Sequence, residues 1–152
     1  MVAFEQETLT GKFNSMKEHI TIFIADDDED DKKLFIESAH KAYNNIQCVT
    51  ACDGQEALRI LRDEQNPLPD YIFLDLRMPR ISGQKCLEEI RKEERLRHIP
   101  VFIYTTSREV KDSIELKKNG AAHFISKPVN PSEIYYILSS VLHEKWDQIG
   151  II

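Results

Sequence analysis

No apolar run in the sequence approaches the roughly 18 residues needed to span a bilayer, and the amino terminus lacks the basic, apolar and small-residue order of a secretory signal. Cysteine is scarce and odd in number. Cys48, Cys52 and Cys86 show no metal-ligand spacing and cannot form a disulfide framework, so they are expected to be reduced core thiols of a cytoplasmic protein. Positive charge is also in deficit: 20 Lys and Arg stand against 26 Asp and Glu, a formal net charge of -6 that argues against general affinity for DNA or an anionic membrane. The five glycines form no Walker-type loop, which removes the usual nucleotide hydrolases. With no internal repeat, low-complexity tract or linker, and with 41% hydrophobic and 30% charged residues, the chain reads as one ordinary globular domain.

What is present centres on Tyr71-Ile72-Phe73-Leu74-Asp75-Leu76-Arg77-Met78-Pro79. A short run of β-formers, apolar on both faces, predicts a strand buried on both sides, as in a parallel sheet. Asp75 follows at its carboxyl end, where open α/β sheets bind ligands. A buried carboxylate is costly and needs positive partners from elsewhere in the chain.

Four further strands are expected: Ile20 to Ala25, Ile46 to Ala51, Val101 to Tyr104 and Ala121 to Ser126. Between them lie helical stripes: Leu34, Phe35, Ala39 and Ala42; Ala57, Leu58 and Leu61 after an Asp53-Gly54 turn; Cys86, Leu87 and Ile90; a helix from about 107 to 119 stopped by Gly120; and Ile134, Ile137, Leu138, Val141 and Leu142. Strands alternating with helices at short spacings predict a doubly wound α/β sandwich. Residues 1–18 are polar and weakly periodic and are expected to be a flexible extension, 19–147 the domain, and 148–152 an apolar tail.

Six acids, Asp26 to Asp31, follow the first strand. Asp28 to Asp31 suit a solvated helix start with Asp28 or Glu29 near the cap. That account fits Asp26 and Asp27 poorly, because they stand at the strand's end, where crowded carboxylates repel unless a cation sits among them. In the expected fold Asp26, Asp27, Asp75, Thr105 and Lys127 converge on one edge of the sheet. Three carboxylates there suit a hard cation such as Mg²⁺, while a lysine and a hydroxyl suit an anion. An aspartate beside a metal and a lysine is chemically a phosphoryl acceptor site.

Asp26-Asp27, the Leu74-Asp75-Leu76-Arg77-Met78-Pro79 stretch, Thr105 thirty residues beyond Asp75, and Lys127-Pro128 further on resemble the receiver domain of bacterial two-component response regulators. The match runs from about Ile20 to Leu142. Tyr104-Thr105-Thr106-Ser107 and the acidic first loop are most similar to small stand-alone receivers associated with bacteriophytochromes. The resemblance implies a flavodoxin-like (βα)5 fold with strand order 2-1-3-4-5. It implies that Asp75 accepts a phosphoryl group from a sensor histidine kinase, a bacteriophytochrome being one candidate. It further implies that Asp26, Asp27, Asp75 and the backbone carbonyl of Arg77 serve Mg²⁺, and that Lys127 pairs with the phosphoryl oxygens. Thr105 and Phe124 would be the switch, Thr105 swinging toward the phosphoryl group and Phe124 following it inward. No separate substrate turnover is expected. Arg77 and Ser107 depart from commoner family patterns beside the path of the hydrolytic water, which bears on the lifetime of the aspartyl phosphate.

Rival readings fail on chemistry. A flavodoxin would put a flavin phosphate against the acidic first loop. A haloacid-dehalogenase-type phosphatase needs an aspartate where Arg77 stands. The alternative that survives is a degenerate receiver, an interaction module independent of phosphorylation. Some 25 residues follow Lys127, so output is expected through protein contacts and not DNA. One candidate is a homodimer through the fourth helix, fifth strand and fifth helix, closed by the tail. The other is a tail carrying Trp146, Ile149, Ile151 and Ile152 that folds back on its own domain.

Overall fold

The computed structural model describes residues 18–106 and 110–143, with side chains from 113 in the fourth helix. The expected 1–18 extension (bar its last residue), Ser107 and the 148–152 tail therefore lie outside the described residues. Five strands, β1 (Ile20–Ala25), β2 (Ile46–Ala51), β3 (Tyr71–Leu74), β4 (Val101–Thr105) and β5 (His123–Ser126), alternate with five helices. These are α1 (Glu29–Ala42), α2 (Gly54–Arg62), α3 (Gly83–Lys92), α4 (Val110–Lys118) and α5 (Ser132–Leu142). All pairings are parallel, in the order β2-β1-β3-β4-β5. This is the expected flavodoxin-like arrangement. No helix among the described residues is long and apolar enough to cross a membrane.

The two-residue alternation of the strands divides the core between the sheet's faces. Phe23, Ile72, Leu74, Ile103 and Phe124 pack with Leu58, Leu61, Leu87, Ile90 and Leu116 of α2, α3 and α4. Ile22, Ile24, Phe73, Phe102, Tyr104 and Ile125 pack with Phe35, Leu138 and Val141 of α1 and α5. On that second face Phe73 stacks on Phe102 at 5.1 Å and meets Phe35 edge-on at 4.8 Å. β1, β3 and β4 are buried along their whole length, which is why they carry no charged residue.

Three expectations need correcting. Asp53-Gly54 is no free turn: Asp53 caps α2 through its side chain, which accepts from the Glu56 amide, and Gly54 is already helical. Only Cys86 is a buried core thiol; Cys48 is half-buried and Cys52 is exposed beside Glu56. The fifth strand starts at His123, because the Ala121 amide turns back to Leu116 after Gly120, and His123, Phe124 and Ile125 are covered even though it forms the sheet edge.

Two glycines hold the β3–α3 loop close to its neighbours. A Cβ at Gly54 would lie 2.1 Å from the Ile81 carbonyl oxygen, and one at Gly83 would lie 2.1 Å from the carbonyl oxygen of Asp75. Arg80, at φ 69°, adopts a left-handed backbone that costs a non-glycine residue strain. Its Nε donates to Asp53 Oδ2 at 3.2 Å, so the loop is tied to the cap of α2. Gly83→Ala should therefore displace the backbone of Asp75 and lower stability by about 2 kcal/mol or more. Urea unfolding measures this, and an unchanged midpoint would show that the loop can retreat freely.

Candidate functional site

Backbone bonds that continue the sheet past the strand ends set the site. The Asp26 amide donates to Ala51 O (3.1 Å), Asp75 to Ala25 O (3.0 Å) and Lys127 to Thr105 O (2.7 Å). Each residue is thus placed by the strand beside its own. Asp26, Asp75, Thr105 and Lys127 are buried, while Asp27 and Arg77 are exposed.

The acidic loop is ordered by its own amides. Asp26 Oδ1 accepts from the Asp28 amide and Asp28 Oδ1 accepts from the Asp31 amide, both at 3.0 Å, the latter capping α1. Lys127 Nζ then meets three carboxylates: Asp26 Oδ2 at 2.6 Å, Asp31 Oδ2 at 2.8 Å and Asp75 Oδ2 at 3.0 Å. The contacts to Asp31 and Asp75 are hydrogen bonds. That to Asp26 Oδ2, a buried oxygen, is the shortest of the three and is an ion pair with the ammonium. The Tyr104 ring lies 5.8 Å from the ammonium, adding a weak cation–π contact. On the other side Asp75 Oδ1 accepts a long bond, 3.4 Å, from the Arg77 amide.

Burial raises the Asp26 carboxyl to about 6, although the neighbouring Lys127 pulls the other way. Burial works against the charge on Lys127, but Asp26 and Asp31 outweigh it and hold the ammonium above its ordinary range. Asp26, Asp27 and Asp75 each offer an oxygen, all within 4.8 Å of one another. This buried, oxygen-only donor set fits a hard divalent cation.

The five residues expected to converge divide as follows. Asp26, Asp27 and Asp75 form the carboxylate cluster, Lys127 contacts Asp26 and Asp75, and Thr105 is fully buried at the end of β4, joined through its carbonyl to Lys127. Phe124 lies on the sheet face of α2, α3 and α4, the face that the alternation of β4 also assigns to Thr105. Its ring is already fully buried, so an inward movement on activation has no exposed starting point here. Asp31 is the residue that a reading of the acidic run as a solvated helix start misses. A usable signal was present: Asp31 stands four residues before the buried Phe35 and so shares the inward face of α1.

Comparison with known proteins is consistent with this geometry. The family model for the response regulator receiver domain matches residues 22–139. A probable transcriptional regulator, ycf27 of Cyanidium caldarium, is 30% identical over 134 residues, covering 88% of this chain but 50% of that protein. The chain thus spans half or less of the length of the curated relatives it matches first. The polar-differentiation response regulator DivK of Brucella ovis is 28% identical over 122 residues, covering 80% of this chain and 95% of DivK. The crystal structure of the phosphorylated cyanobacterial phytochrome response regulator RcpA superposes with a TM-score of 0.76 at 30% identity, covering 86% of this chain and 95% of that one.

The raised Asp26 carboxyl predicts a direction for stability without metal. A folded-state value above the unfolded one means that Asp26 favours folding below about pH 4 and loses that contribution as pH rises through about 6. In EDTA, the stability of Asp26→Asn relative to the unsubstituted chain should rise by about 1–3 kcal/mol between pH 4 and pH 7.5. Denaturant titrations at the two pH values give the difference, and a flat one would contradict the burial argument.

Proposed function

Because this chain belongs to the response regulator receiver domain family, we propose that Asp75 accepts a phosphoryl group from the phosphohistidine of a sensor kinase and that the protein signals through contacts that depend on that group. The observation that carries the reading is the contact of Asp75, a member of the carboxylate cluster, with the buried ammonium of Lys127. An Asp75 carboxylate oxygen attacks phosphorus, an O–P bond forms as the P–N bond breaks, and the imidazole leaves with the electron pair and takes up a proton. Lys127, already within 3.0 Å of Asp75, supplies positive charge to the transferred oxygens.

Mg²⁺ is the cation proposed for Asp26, Asp27 and Asp75, with the carbonyl of Arg77 as a further ligand; when bound it neutralises charge on the transferred group. The mutual proximity of the three carboxylates supports this assignment. Thr105 is the hydroxyl proposed to approach the phosphoryl group, and its position on the face that holds Phe124 provides the route to that ring. The likeness to RcpA, a phytochrome response regulator, supports a bacteriophytochrome among the candidate kinases.

For the output surface we propose the α4–β5–α5 face, as a symmetric dimer. Ile114, Val129 and Tyr136, at 54%, 90% and 68% exposure, place large apolar or aromatic side chains in water there. A monomer by light scattering at tens of micromolar, with and without BeF₃⁻, would remove the dimer.

Acetyl phosphate with Mg²⁺ should add one phosphoryl group to the chain and none to Asp75→Asn, read by intact mass. Modification that persists in Asp75→Asn would move the acceptor elsewhere, and none in the unsubstituted chain would favour an interaction module independent of phosphorylation. Thr105→Ala should still accept the group but lose the amide shifts across β4 and β5 on BeF₃⁻ binding. Shifts equal to those of the unsubstituted chain would take the coupling off Thr105.

A further inference from the structure

An ammonium has three hydrogens to donate, and Lys127 has three carboxylate neighbours, at 2.6, 2.8 and 3.0 Å. The three are not equivalent. Asp26 and Asp75 belong to the carboxylate cluster, and their side chains are 1% and 9% exposed. Asp31 lies outside that cluster, on the first turn of α1, and its side chain is 34% exposed. Its backbone is held by the Asp28 cap, so the side chain can turn to water without disturbing the helix.

A phosphoryl group on Asp75 brings about 1.5 to 2 negative charges and three strong acceptor oxygens. Those oxygens must win hydrogens of Lys127 from acceptors already in place. The contact that gives way at least cost is the one whose carboxylate water can best solvate, which is Asp31. We infer that Asp31 is a positioning residue that holds Lys127 in reserve and competes with the incoming phosphoryl group for it, so that the Asp31–Lys127 contact sets how readily the site is occupied. This rests on the reading of Asp75 as acceptor. It gives one of the acids after Asp27 a role in the site, beyond beginning a helix.

The test compares Asp31→Asn, Asp31→Glu and Asp30→Asn in the full chain with Mg²⁺. Asp30 is the control, because it is exposed on the same turn and its substitution changes the charge equally. BeF₃⁻, as the phosphoryl mimic, should bind Asp31→Asn about 3- to 10-fold more tightly than the unsubstituted chain, while Asp30→Asn stays within about twofold of it. Asp31→Glu, which keeps the carboxylate, should return most of the way to the unsubstituted affinity. A spectroscopic readout separates the contact from general loss of charge. The Lys127 Nζ resonance of the metal-free protein should move in Asp31→Asn and not in Asp30→Asn, and the Asp31 carboxyl carbon should move toward a solvated value when BeF₃⁻ binds the unsubstituted chain. Equal affinities for Asp31→Asn and Asp30→Asn, or an Asp31 carboxyl signal indifferent to BeF₃⁻, would overturn this inference alone. An unsubstituted chain that takes no BeF₃⁻ would overturn the acceptor reading and this inference with it.

Discussion

The ammonium of Lys127 stands among three carboxylates at the carboxyl edge of the sheet, and much of the surrounding structure keeps it there. Asp26, Asp75 and Lys127 are each fastened by a backbone hydrogen bond to the strand next to their own. Relaxation by moving one strand end would break the ladder that positions another. Desolvation is the opposing force, visible in the raised carboxyl of Asp26. A buried ion cluster of this kind contributes little net stability. Its value lies in being poised: Lys127 is shared among three carboxylates, and added charge of either sign changes the balance.

Poise of this kind requires rigid support, and the loops supply it by close backbone approach. The β3–α3 loop passes so near α2 and the Asp75 carbonyl that Gly54 and Gly83 leave no space for a side chain, and Arg80 fastens it to Asp53. At the far end of the sheet Arg91 donates to the carbonyls of Arg97, Ile99 and Gly120, and Arg95 to those of Leu61 and Asn66. Both guanidiniums join segments distant in sequence, as a rigid planar fork with several donors can. The side chains that meet at the site are thereby carried by a scaffold tied at both ends.

The central strands were legible because burial on both faces leaves a direct mark on composition: Ile22 to Ala25 and Tyr71 to Leu74 admit no charge. Asp26, Asp75 and Lys127 were legible because a charge that ends such a run must lie at the sheet's edge. Asp31 was not, since a carboxylate in the first turn of a helix already has a sufficient local explanation and its partner is 96 residues away. Asp53 reads as half of a turn because Asp-Gly suits one; its cap bond from the Glu56 amide is local and was legible in the Asp-x-x-Glu spacing, while the bond from Arg80 was not. The cysteines mislead differently. Cys52 follows directly on β2, where a small apolar residue reads as interior, but it has already passed the sheet and faces Glu56 in solvent.

The burial of Phe124 constrains how a signal can leave the site. The Phe124 ring is fully enclosed between β5 and the α2–α4 layer, so any response at Thr105 reaches it inside the core and not at the surface. It can report by shifting its neighbours, among them Ile103 and Leu116 in the same cluster. Under the proposed switch, a displacement at Thr105 would have to rearrange discrete contacts, because a densely packed interior has little free volume to absorb it. Leu116 belongs to α4, and α4 also carries the exposed Ile114. The contact surface proposed on the α4–β5–α5 face therefore shares α4 with the core cluster that holds the buried ring.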